Sequence, residues 1–229
     1  MDLYNPFPLE RKRKELLMNY LELINKCLVE LNYKQVNAFS ELIKNDHKKL
    51  KNIINIINSE ICLSDKWNFL LRKQVLNLKK FSGELENIID GRIETVIIDG
   101  VKFDFYADFE KFFVNSQPQN TYSLFNDKIL LPFYNQNKNV EILYYTKNCA
   151  KNSLGEEKLS LDNAEDVSLI PEPFVEPLIV YGACMRLKGN PQHVRFNYWY
   201  SMYKDALANL RAKASGTVDE TPMIKLSRN

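Results

Sequence analysis

The chain has 229 residues, 45% of them apolar and 12% aromatic, which is enough for one fair-sized core or two small ones. Its 31 basic and 29 acidic residues leave a net charge of +2, which excludes a global basic field drawing the whole molecule to nucleic acid or membrane. No apolar run approaches the roughly 20 residues of a membrane span, and MDLYNPFPLERKRK lacks the order of a signal peptide, so synthesis and folding in the cytosol are expected, with no membrane partner.

Spacing of three and four residues between Leu17, Tyr20, Leu21, Ile24, Leu28 and Leu31 predicts a helix over 9–31, opening just after Pro8. Residues 32–45 read as a shorter helix or a turn-rich connection. A second helix starts near Asp46, a good N-cap, and carries Leu50, Ile53, Ile54, Ile57 and Ile61 on one stripe before a break at Ser64-Asp65.

The period then changes. VIIDGVKFDFY (96–106) holds two β-rich runs joined at Asp99-Gly100, a dipeptide that supplies positive φ for a hairpin turn. TYSLFNDKILLPF (121–133) repeats the scheme around Asn126-Asp127, VEILYYTK (140–147) alternates as a further strand, and WNFLLRKQVLNL (67–78) is an ambiguous one. DFEKFFVN (108–115) reads as a short helix on the sheet. Short connections predict antiparallel pairing throughout.

Residues 148–170 are polar with isolated leucines and read as a long connection. Beyond Ile170, Pro177 suits a helix first turn, Gly189 its end, and Asn190-Pro191 the N-cap and first position of the next helix. In that last helix Phe196, Trp199, Tyr200, Tyr203, Leu207 and Leu210 form one stripe. Ser215–Asn229 has too few apolar residues for a core of its own and reads as an extended tail with an apolar hook at Met223, Ile224 and Leu226.

The predicted fold is therefore α+β: an N-terminal helical bundle and a C-terminal helical hairpin packed together, with a small antiparallel β region inserted between them. The divisions are 1–66 (helices), 67–147 (β region), 148–170 (polar connection), 171–214 (helical hairpin) and 215–229 (tail).

Chemistry is sparse. Cys27, Cys62, Cys149 and Cys184 form no CxxC pair and are joined by only His47 and His193, so they read as reduced and packed. Seven glycines argue against Gly-rich phosphate loops. Asp99, Asp104, Asp108 and Glu110 could be metal ligands of a nuclease, but a turn residue plus a solvated face is the preferred reading. The aromatic stripe of the last helix could stack bases, yet its helical spacing favours core packing. Arg11, Lys12, Arg13 and Lys14 form a basic run available to a solvated face, to DNA phosphate or to an acidic partner, whereas Lys48, Lys49 and Lys51 read as the polar side of the second helix. The chain reads as non-enzymatic, with no catalytic, cofactor or metal site.

The order of these pieces resembles the head-to-tail adaptors that short-tailed phages place beneath the portal, of the tail tubular protein A type, including ring proteins of crAss-like phages. The likeness lies in a helical pair ending in a Trp-aromatic-Leu signature (INSEICLSDKWNFLLR, 57–72), the Asp-Gly hairpin (VIIDGVKF, 96–103), a strand ending in Leu-Pro (KILLPF, 128–133), a Tyr-rich strand (140–147) and the closing helical piece IPEPFVEPLIVYGACMRLKGNPQHVRFNYWYSMYKDALANL (170–210). It covers roughly 15–212. The polar connection 148–170 and the N-terminal basic stretch depart from the pattern.

The resemblance implies a virion protein of the neck or tail. Many copies, commonly a dodecamer, form a homo-oligomeric ring that docks on the portal protein and presents a surface to the next tail or ring protein. The lumen would hold DNA without sequence specificity, with Arg11–Lys14 one candidate contact. The portal-docking role would fall to Met223, Ile224 and Leu226. The alternative is a non-enzymatic DNA-binding or packaging module resting on the basic run and the helices at 177–213; a metal-dependent nuclease is a third reading.

Overall fold

The computed structural model describes residues 17–78, 84–86, 90–126, 128–132 and 138–214. Helix α1 (Tyr20–Glu30) opens at Asn19, whose side chain accepts the Glu22 N–H at 2.9 Å while the Glu22 carboxylate accepts the Asn19 N–H at 2.9 Å. This reciprocal cap satisfies two of the donors a helix start leaves free. The predicted helix over 9–31 is thus corrected at its start, because Leu17 and Met18 are not helical and the cap fixes the entry at Asn19.

Helix α2 (Asn45–Ser64) buries Leu50, Ile54, Ile57 and Ile61 on one stripe. Its N-cap is Lys44, which makes no side-chain cap, and Asp46 lies inside the first turn instead of capping it. Trp67 follows α2, fully buried, and its indole N–H donates to the Ile61 carbonyl at 2.6 Å, which ties the chain back onto the helix end.

Seven strands form one sheet: β1 (Leu71–Leu78), β2 (Glu84–Glu86), β3 (Gly91–Ile98), β4 (Val101–Phe105), β5 (Thr121–Phe125), β6 (Lys128–Leu130) and β7 (Lys138–Thr146). Their order is β1-β7-β3-β4-β5-β6-β2. The β3–β4 hairpin turns at Asp99-Gly100 with φ of 49° and 83°, the left-handed pair that a two-residue turn demands.

Because β1 and β2 lie at opposite edges, the sheet must curl. Seven flat strands would put their edges about 29 Å apart, whereas six Cα steps from Leu78 to Glu84 reach roughly 20 Å at most. The concave side of the curl holds Val96, Ile98, Phe103, Tyr122, Ile129, Leu131, Val140 and Ile142.

The expected small antiparallel β region is corrected on two counts. The sheet is substantial and mixed, since β4 and β5 pair in parallel with Asp104 opposite Thr121 and Phe105 opposite Tyr122. A second sheet, β8 (Ala150–Lys151), β9 (Glu157–Lys158) and β10 (Val167–Ser168), occupies the stretch read as a connection.

Polar side chains from elsewhere order this second sheet. Asn58 donates to the Cys149 carbonyl at 2.9 Å and accepts from Ser168 Oγ at 2.6 Å, while Asn55 holds both backbone groups of Leu161. In return, the carbonyls of Asp166 and Ala164 accept the free N–H groups of Tyr20 and Leu21 in the first turn of α1.

The C-terminal part starts with a π-helical turn (Pro177–Tyr181), runs on as α4 (Gly182–Lys188), and returns as α5 (Phe196–Ala214). At Gly182 a Cβ would stand 3.2 Å from both the Ile57 and Tyr203 side chains, which would have to give by a few tenths of an ångström, so the glycine suits the close packing of α4 on α2 and α5. Helix α5 starts later than Asn190-Pro191 suggests. Asn190 Oδ1 accepts the Gln192 N–H at 2.9 Å, a local turn that competes with helix entry.

α1, α2, the π turn, α4 and α5 surround the larger core, which also takes in Trp67, Leu70, Leu161 and Ile170. Tyr145 of β7 packs against that core and Tyr144, its neighbour on the opposite face, against the sheet core. β7 therefore joins the two bodies.

Candidate functional site

The connection from β4 to β5 crosses back along the parallel pair and carries α3 (Glu110–Phe113). Positions 109 and 113 share a helical face, and Phe112 between them is buried. Phe109 stacks on Phe125 at 4.7 Å, and Phe113 meets Phe125 edge-on at 5.5 Å and Phe109 edge-on at 6.5 Å. Such ring pairs contribute about 0.5–1.5 kcal/mol each beyond burial.

This triad belongs to neither core cluster. Phe113 is 50% exposed and is followed by Val114 at 71%, while Leu124 at 41% and Phe105 at 56%, the latter edge-on to Tyr122, belong to the other face of the β4–β5 pair. Adjacent exposed apolar groups make this the candidate surface, whereas isolated exposed apolar residues need no explanation.

A second feature is a groove of about 670 Å³ between α1 and the π turn, with Glu22, Lys26 and Glu30 on one wall and Glu176, Val180 and Tyr181 on the other. Lys26 donates to Glu176 at 2.8 Å. Glu30 accepts from the Trp199 indole N–H at 3.0 Å and lies 3.3 Å from the Arg195 guanidinium. Beside it, Tyr181 and Tyr198 meet edge-on with hydroxyls 3.3 Å apart; burial, then the Tyr198 hydroxyl, push the Tyr181 phenol well above its ordinary range.

The carboxylates weighed as metal ligands are engaged separately. Asp99 accepts from Lys138 Nζ at 2.7 Å and from the Asn139 N–H at 2.9 Å, and the lysine contact above all holds its carboxyl below the usual range. Asp104 faces Lys102 at 3.6 Å and Asp108 faces Lys111 at 3.4 Å, while Glu110 is exposed on α3. Among the described residues no group of three or more His, Cys, Asp or Glu side chains is placed to hold a metal ion.

Of the stripe on α5, Trp199 is fully buried and stacks on His193 at 5.1 Å, and Leu210 is buried, but Tyr200 is 51% exposed. Ala206 takes its place in the core. Arg11, Lys12, Arg13, Lys14, Met223, Ile224 and Leu226 lie outside the described residues.

Spacing alone hid one arrangement: the four buried thiols sit as two neighbouring pairs. Cys184 Sγ donates to the Cys27 carbonyl at 3.8 Å, and burial followed by the Cys184 contact pushes the Cys27 thiol up. The Cys62 thiol is pushed up by its hydrogen bond with Cys149 and by burial, and the same hydrogen bond pulls the Cys149 thiol down.

Among the described residues no helix is long and apolar enough to cross a membrane. Set beside models of known protein families and beside curated proteins, the chain matches none, so the reading of its surfaces rests on their own geometry.

Proposed function

We propose that this chain is a head-to-tail adaptor of a phage virion, closing with copies of itself into a ring between the portal and the next tail component, around the DNA channel. The observation that carries the reading is the aromatic triad of Phe109, Phe113 and Phe125, with Phe113 exposed and the other two half-buried. A cyclic ring joins two different surfaces of each subunit head to tail, and an apolar patch outside both cores supplies one of them.

A net charge of +2 suits a channel lining, because a strongly basic lumen would hold DNA through its phosphates and slow its passage. Docking on the portal falls to Met223, Ile224 and Leu226. The segment that carries them follows α5, whose last carbonyl, at Ala214, accepts from Asn68 Nδ2 at 3.0 Å, so it leaves the body where the helical part meets the sheet.

The test is native mass spectrometry and negative-stain imaging of the full chain mixed with its cognate portal. Rings or ring–portal complexes are expected, and neither forming would defeat the reading. Removing 215–229 is expected to leave folding intact and to abolish portal association; unchanged association would sink the docking role of that segment.

A further inference from the structure

The groove between α1 and the π turn has a wall chemistry that no role given above uses. Glu22 gives one oxygen to the Asn19 N–H, Glu176 one to Lys26, and Glu30 one to Trp199 and Arg195. Each carboxylate keeps its other oxygen without a hydrogen bond among the described residues. Val29, 51% exposed, and the ring of Tyr181 give the same groove an apolar wall. Carboxylates alternating with apolar surface fit long cationic side chains, whose methylenes lie on the wall while their heads reach the acids.

Met18 lines this groove, and at least sixteen residues precede Leu17. Among them is the basic run Arg11–Lys14. From Glu22 to Glu30 the helix rises about 12 Å. The seven Cα steps from Met18 back to Arg11 can extend to about 24 Å, so the run can double back and still lie along the whole acidic row.

We infer that the groove is the seat of the chain's own Arg11–Lys14 segment, folded back along α1 so that its cations face Glu22, Glu176 and Glu30. Energetics favour the same chain over a partner. Exposed ion pairs are individually weak, and a handful of them binds poorly between separate molecules. A tether of a few residues supplies a high effective concentration, and weak pairs then suffice. The inference is independent of the adaptor reading, and it takes the basic run away from DNA.

Carbodiimide coupling joins a lysine amine to a carboxylate only where the two already touch, so it reads the proposed contact directly. The full chain, mixed from isotopically light and heavy protein, should give couplings from Lys12 or Lys14 to Glu22, Glu30 or Glu176 within single copies. Couplings found only between light and heavy copies, or none to these three residues, would overturn the proposal.

Trypsin supplies a second readout. Cleavage after residues 11–14 should be several-fold slower in the folded chain than in a free peptide of residues 1–19. Glu176→Lys should restore most of that rate with an unchanged melting temperature, and Glu176→Gln part of it. Cleavage as fast as in the free peptide, or slowed only when duplex DNA is added, would refute the fold-back.

Discussion

The helical body and the curled sheet treat their polar groups differently. In the first, polar side chains are wired into backbone and into one another: Asn58 to the Cys149 carbonyl and the Ser168 hydroxyl, half-buried Asn55 to Leu161, and Asp166 to the N–H groups of Asp162 and Asn163 and the Lys158 ammonium. In the second, Thr95 Oγ1, Gln117 Oε1 and Ser123 Oγ are buried with no partner among the described residues; His47 Nδ1 is the one such atom among the helices. The sheet also leaves Phe105, Phe113, Val114 and Leu124 outside its core. The helical body thus satisfies most of its buried polar groups internally, and the sheet leaves both unpartnered polar atoms and exposed apolar side chains.

The contrast can be broken first at Trp67. Replacing this buried indole with alanine should cost about 3–5 kcal/mol, seen as a large fall in denaturation midpoint. A loss below about 1 kcal/mol, within the ordinary range for surface changes, would show that the helical core is not the main store of stability. Asn58→Ala should come next at about 1–3 kcal/mol, because it leaves the Ser168 O–H without its acceptor in the interior and removes one of the two donors to the Cys149 carbonyl.

Asp166 sharpens the picture through pH. Burial works to raise its pKa, but the Asn163 and Asp162 N–H groups and Lys158 outweigh it, and the folded value lies below the ordinary one. A depressed carboxylate pKa gives stability that is present above the unfolded value of about 3.9 and is lost as pH falls through the folded value. Urea midpoints measured from neutral pH downward should therefore drop more steeply in the parent than in Asp166→Asn, which should already be weaker at neutral pH. Equal slopes would remove Asp166 from the acid response.

Ser123→Ala should matter least, within about 1 kcal/mol of the parent and of either sign, since the hydroxyl it deletes has no partner to lose. Alongside it, Phe113→Ser should shift the melting temperature little and yet disrupt ring formation in native mass spectrometry. A large loss of stability from either change would place the sheet on the same footing as the helices.

Sequence periodicity made α2, the Asp99-Gly100 hairpin and the strand around Ile142 legible, because each buries one face at a regular period. The second sheet was not legible. Its strands are two residues long, and their order comes from Asn55 and Asn58, far away in the chain, so no local pattern announces them. The parallel β4–β5 pair escaped for a related reason: its crossover carries only a four-residue helix, shorter than the usual signature of such a connection. Tyr200 kept the helical spacing of its neighbours and still faces solvent, because Ala206 marks where the α5 stripe actually turns inward. Of the candidate surfaces, the phenylalanines were visible as letters, but their exposure depends on which strands pair, and that is a tertiary property.

The parallel seam has one more consequence. Between Phe105 and Thr121 the chain must climb back the length of a strand, and everything it carries on the way, α3 and its phenylalanines included, hangs outside both cores. Phe113 and Val114 on that climb can change without touching either core cluster, while Phe112 beside them stays buried. The exposed chemistry there can change while the architecture stays the same.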